Sequence, residues 1–180
     1  MIAMPERLRV LLFLNGLGLI AAAMLSGWLW FFMLLGRMVL WPIPGSIDVQ
    51  IPGDHRAWRM AHMEGITQGL LLMGLAFGGA YMRLGSRAYT ILFWAALTMA
   101  WLFTLPAMAH PLFGTRGLEF GGGPFKPGLA NDVLYVIGWP PMIGVHVMIV
   151  LSILGVVRYL RESSKDARGS GRSSVRRCPR

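Results

Sequence analysis

WRMAHMEGITQGLLLMGLAF, residues 58–77, opens on polar side chains and closes as an uncharged apolar run. Its first turns carry Arg59, His62, Glu64, Thr67 and Gln68. On a helix, residues four apart share a face, so Glu64 stands over Gln68 and Trp58 over His62. Polar groups buried in hydrocarbon without partners cost several kcal/mol each. A helix that accepts them at the mouth of a membrane span is expected to line a site rather than face lipid.

Working outward, the chain of 180 residues is 55% hydrophobic and 14% charged, against roughly 25% charged in soluble domains. Four uncharged runs stand out: Val10 to Gly36, Gly65 to Met82, Ala88 to Thr115 and Val133 to Val157. Each is near or above the ~18–20 residues that cross a bilayer core. The reading is an all-α, four-helix transmembrane bundle over residues 1–161, with spans near 8–40, 57–82, 87–109 and 132–159. Residues 162–180 form a basic tail, expected to be disordered. Ala21 to Ala23 raises a cleaved signal peptide, but the apolar run continues through Trp28 to Phe32 and on to Leu40, too long for a signal core. The aromatic group Trp28 to Phe32 reads either as interhelical packing or as lipid-facing filler.

Four spans put both termini on one side, together with Arg7, Arg9, Arg83, Arg87 and the eight Lys and Arg residues from Arg158 onward. The positive-inside rule makes that side cytoplasmic. The net charge of +9 gathers beside apolar spans, which points to anionic lipid rather than nucleic acid as its partner. The single Cys178 excludes an intrachain disulfide, and no CxxCH motif for thioether-linked haem is present. The outer loops, residues 41–58 and 114–132, are rich in Pro and Gly, and Phe120 and Phe125 argue against a plain linker in the second. Pro140-Pro141 should bend or break the fourth span.

There is no HExxH, Walker loop, GxSxG elbow or GxGxxG between strand and helix. The scattered Met residues read as packing. What remains is imidazole. His55 lies in a loop, whereas His62, His110 and His146 lie in or near spans. A membrane histidine is either an interhelical contact or a ligand. Around His62, Gly65 and Gly69 allow a second helix, or a flat macrocycle, to come close, and neutral imidazole is a common axial ligand to haem iron.

Three phrases then carry a resemblance: AHMEGITQG at 61–69, TRGLEFGGGPFKPG at 115–128 and, before the histidine helix, IPGSIDVQIPG at 43–53. In content and order they resemble the bacterial styrene oxide isomerases. The resemblance implies a four-helix inner-membrane protein, a homotrimer with haem b near its subunit interfaces. It further implies ferric iron held by the histidine matching His62, and Lewis-acid rearrangement of an apolar aryl epoxide to an aldehyde. Gln68 matches the family's asparagine, and Glu64 stands where the family has a small residue or proline. The family's active-site tyrosine falls near Pro106 or Ala107, so His110 or Tyr135 becomes the substitute. On this reading Gln68 and Glu64 act on substrate, and Trp101, Phe103, His110 and Phe120 wall the pocket. Arg116 and Lys126 pair with haem propionates. The competing expectation is a haem-binding electron carrier, in which His110 or His146 joins His62 as second axial ligand. A non-haem transporter is a third, though the halves show no repeat.

Overall fold

The computed structural model describes the backbone of residues 1–174 and the side chains of residues 1–165; Cys178 and the end of the expected tail lie outside the described residues. Helix α1 spans Glu6–Leu35, α2 His55–Gly78, α3 Ser86–Phe113, α4 Leu129–Ile137 and α5 Trp139–Ser174. A single turn of tighter 3-10 helix, Gly79–Tyr81, follows α2. Strands β1, Arg37–Met38, and β2, Ile47–Asp48, pair antiparallel in the first outer loop. The all-α expectation therefore gains a small hairpin.

Helix ends follow from local chemistry. α1 ends at Leu35, short of the expected end near residue 40, because Gly36 turns left-handed at φ 65° and feeds β1. Asp54 caps α2 by accepting the Ala57 N–H at 2.9 Å. Trp58 then ties the loop down, its indole N–H donating to the Pro52 carbonyl at 2.8 Å. α3 runs past its expected end at residue 109, carries Pro106 and Pro111, and closes on left-handed Gly114.

The fourth span is divided, as expected, but at Gly138 rather than at the double proline. Pro140 and Pro141 sit in the first turn of α5, where a helix has no partner for their missing N–H groups. The Gly138 N–H bonds back to the carbonyls of Leu134 and Tyr135, closing α4. α5 continues beyond the expected span end at residue 159 and stays helical through Ser174, so residues 162–174 extend this helix.

Among the described residues, three segments are long and apolar enough to cross a membrane: Glu6–Leu35, Ser86–Phe113 and Leu129–Lys165. α2 has the length, 24 residues or ~36 Å by helical rise, but the polar residues of its first half keep it out of that group. Large apolar side chains such as Leu25, Trp94 and Ile143 are exposed along the long helices, as a lipid-facing surface demands.

α1 packs on α2, α2 on α3, and α3 on α5. The core joins Leu12 and Leu19 of α1, Leu72 and Leu75 of α2, Tyr89, Leu92 and Met99 of α3, and Met148 of α5. The α1–α2 contact is the most extensive. A Cβ built on Gly69 would lie 2.7 Å from the Gly16 carbonyl, so only glycine allows the two backbones to meet there. This contact brings the polar head of α2 against the second half of α1.

Candidate functional site

His62 faces α1. Its Nδ1 lies 2.8 Å from the Ala23 carbonyl oxygen. A carbonyl only accepts, so Nδ1 carries the hydrogen, and in the neutral form of the ring the lone pair is then on Nε2. A backbone carbonyl on one ring nitrogen is the usual means of aiming the other at a metal. The half-buried ring opens onto a groove of about 410 Å³ lined by Met24, Gly27, Trp28, Trp30, Phe31 and Leu34. The aromatic group on α1 thus divides its work: Phe32 is buried, while Trp28, Trp30 and Phe31 form the groove wall. Trp30 lies near two imidazoles, with ring centroids 5.3 Å from His55 and 6.2 Å from His62, and its buried indole N–H has no partner among the described residues.

Glu64 and Gln68 are half-buried on α2 and pair with each other. Gln68 Nε2 donates to Glu64 Oε1 at 2.8 Å, which leaves Gln68 Oε1 buried without a partner among the described residues. Neither residue lines the His62 groove. Helical geometry accounts for this: a separation of six residues turns Gln68 about 120° away from His62.

A second groove, of about 360 Å³, lies between the end of α3, the glycine-rich loop, α4 and α5. Phe103, Pro106, His110, Arg116, Tyr135 and Trp139 are among its walls. It therefore gathers two expected pocket residues, Phe103 and His110, with Arg116 and with Tyr135, the other residue weighed for the tyrosine's place. His110 Nδ1 is buried there without a partner among the described residues. The Arg116 guanidinium stacks on the Phe125 ring at 5.6 Å. Phe120 is exposed and meets the Tyr135 ring edge-on at 6.1 Å, outside both grooves. Lys126 is exposed on the loop. Trp101 lines neither groove; its indole N–H donates to Asn15 Oδ1 on α1 at 2.9 Å. His146 is on α5, bonded through Nδ1 to the Met142 carbonyl at 2.7 Å. Neither His110 nor His146 lines the His62 groove.

Residues not singled out from the sequence hold the second groove together. Buried Asn131 accepts from the Thr115 hydroxyl at 2.6 Å and donates to the Glu119 carbonyl at 2.8 Å. Asp132 accepts the Gly121 N–H at 2.8 Å. The glycine-rich loop is thereby fastened to the start of α4. The sequence signal was faint: an Asn-Asp pair at the end of a loop.

No curated protein matches the chain. A family model does, described as styrene oxide isomerase and matching residues 8–157, from the start of α1 well into α5. The match takes in both grooves and the residues that line them, and the chain belongs to the styrene oxide isomerase family, whose name denotes isomerisation of an epoxide.

Proposed function

We propose that the protein is a membrane isomerase that converts an apolar aryl epoxide to an aldehyde with ferric haem b held on His62. The observation that carries this reading is the His62 Nδ1–Ala23 bond, which leaves Nε2 as a bare donor beside an apolar, aromatic-walled groove. The donor set fits the group: one neutral imidazole, flat hydrophobic walls and no competing carboxylate among the lining residues. When bound, the haem supplies a Lewis acid for the epoxide oxygen.

The chain supplies the rest. Opening the C–O bond at the benzylic carbon leaves a cation, which aromatic ring faces stabilise. A hydride from the neighbouring carbon moves to that cation and a carbonyl forms, with no atom gained or lost. Apolar walls exclude the water that would otherwise give a diol. Gln68, held by Glu64, orients substrate, and His110 and Tyr135 stand in the second groove in place of the family's tyrosine. Arg116 pairs with a haem propionate, with Lys126 assisting from the loop.

The grooves are separate on one chain and both are open, so the reading includes assembly as a homotrimer in which a neighbouring copy brings its second groove and its Gln68 to the His62 groove. In that assembly α2, with its polar face covered, also crosses the membrane, which brings the number of spans to four. Both termini are cytoplasmic in the bacterial inner membrane, and the basic end of the chain engages anionic headgroups rather than nucleic acid. The electron-carrier alternative would need a second imidazole beside His62, and none lines this groove among the described residues.

The test is the absorption spectrum of the protein purified in detergent from haem-supplied cells, with and without styrene oxide. The wild type should show a haem Soret band that shifts on adding epoxide, with aldehyde appearing by gas chromatography. His62→Ala should lose the band. Colourless wild type overturns the reading, and an unchanged spectrum in His62→Ala overturns the ligand assignment.

A further inference from the structure

Ala23 O serves three donors. The Ser26 hydroxyl donates to it at 2.9 Å and His62 Nδ1 at 2.8 Å. Within α1 the same oxygen also faces the N–H four residues on, that of Gly27. A carbonyl oxygen has two lone pairs, so each donor weakens the hold of the others. Ser26 is 1% exposed and has no other hydrogen-bond partner among the described residues, so its hydroxyl is committed to this oxygen. Gly27 completes the cradle by absence. A Cβ there would lie 2.7 Å from His62 Nδ1 and 2.8 Å from Cε1, so any side chain would push the ring off Ala23.

We propose that Ser26 and Gly27 are positioning residues for His62: Gly27 admits the imidazole to Ala23 O, and Ser26 moderates the strength of that bond by sharing the acceptor. The partner of the outer ring nitrogen sets how anionic a ligating imidazole becomes. A strong acceptor would make His62 electron-rich and blunt the Lewis acidity of a metal bound at Nε2. A carbonyl already occupied by a hydroxyl holds the ring in place yet leaves it close to neutral. The residues thus separate two demands on one hydrogen bond, direction and donor strength. The consequence for the iron rests on the haem reading; the hydrogen-bond arrangement itself does not.

The experiment uses the full chain in detergent with isotope-labelled histidine, and compares wild type, Ser26→Ala, Ser26→Cys and Gly27→Ala. In wild type, NMR should find His62 protonated on Nδ1. Ser26→Ala removes the competing donor, so the Nδ1–H proton resonance should move downfield. Ser26→Cys keeps a donor at this place, though a weaker one, and should fall between. Gly27→Ala should lose the Nδ1–H bond and move the resonance upfield. In haem-loaded samples Ser26→Ala should lower the iron midpoint potential and raise the ferrous iron–histidine stretching frequency. An unmoved resonance in folded Ser26→Ala, or a His62 ring unaffected in Gly27→Ala, overturns the proposal. Absence of haem from every sample, with the resonance shifts as stated, overturns the haem reading and leaves the cradle standing.

Discussion

Gln68 Nε2 meets Glu64 Oε1 at 2.8 Å, so the carboxylate fixes which end of the amide points into the protein. An ionised carboxylate only accepts, and it can take the amide only by its nitrogen. The oxygen of Gln68 is therefore the end left buried and unpaired. Glu64→Gln removes that discrimination, because an amide partner satisfies either orientation. We expect a change of less than about 1 kcal/mol in stability, since a neutral hydrogen bond replaces a charge-assisted one on a half-buried face. Epoxide turnover should fall about tenfold or more, because the amide then samples two orientations. Thermal unfolding in detergent and product analysis by gas chromatography measure the two. Lost folding with normal specific activity in the folded remainder would assign Glu64 a purely structural part.

Gly69 lies against Gly16 and Ile20 so closely that a Cβ would come within 2.7 Å of both. Gly69→Val should cost about 1–3 kcal/mol through overpacking. It should also part α1 from α2 and weaken haem retention, although residue 69 is two helical turns from His62. Unfolding temperature and the ratio of Soret to protein absorbance check this. Full stability and full loading would show that the helices can separate without consequence.

The Tyr89 hydroxyl reaches the carbonyls of Met82 at 2.9 Å and Ile2 at 3.1 Å, pinning the N-terminal segment beneath the turn between α2 and α3. Tyr89→Phe should destabilise by about 1–2 kcal/mol, the value of a buried hydrogen bond with its carbonyls left short of a donor. Proteolysis near the N-terminus should accelerate, while turnover per folded molecule holds. Equal cleavage rates in both proteins would contradict the pinning.

Trp101 is bonded to Asn15 rather than exposed in either groove. Trp101→Phe should leave Asn15 Oδ1 unpaired and lower stability by about 1–2 kcal/mol. The KM for epoxide should stay within about twofold, because the ring packs against the core. A large rise in KM at unchanged stability would return Trp101 to the pocket wall.

The sequence disclosed His62 because a polar side chain inside an apolar run has few explanations. Its partner was not legible, since Ala23 contributes only a backbone oxygen, and every residue has one. The same holds for Gly27, whose importance lies in what it lacks at a contact between residues 35 apart. Asn15 and Trp101 were each visible as types, but their bond spans 86 residues and depends on how α1 and α3 lie together. The four apolar runs gave the long helices, while their ends shifted with features too local for hydropathy. Gly36 turned the chain early, and the double proline settled into a first turn that tolerates it. The loop glycines were evident; the Thr115–Asn131 bond that fastens their loop was not.

The joint at Gly138 leaves Leu134 and Tyr135 on one rod and Trp139 and Met142 on the next, all walls of the same groove. Pro140 and Pro141 offer no N–H to bridge the seam, so few main-chain bonds resist rocking of the short rod against the long one. We expect the girth of that chamber to follow the tilt of the nine-residue rod, and a disulfide engineered across the seam to fix it.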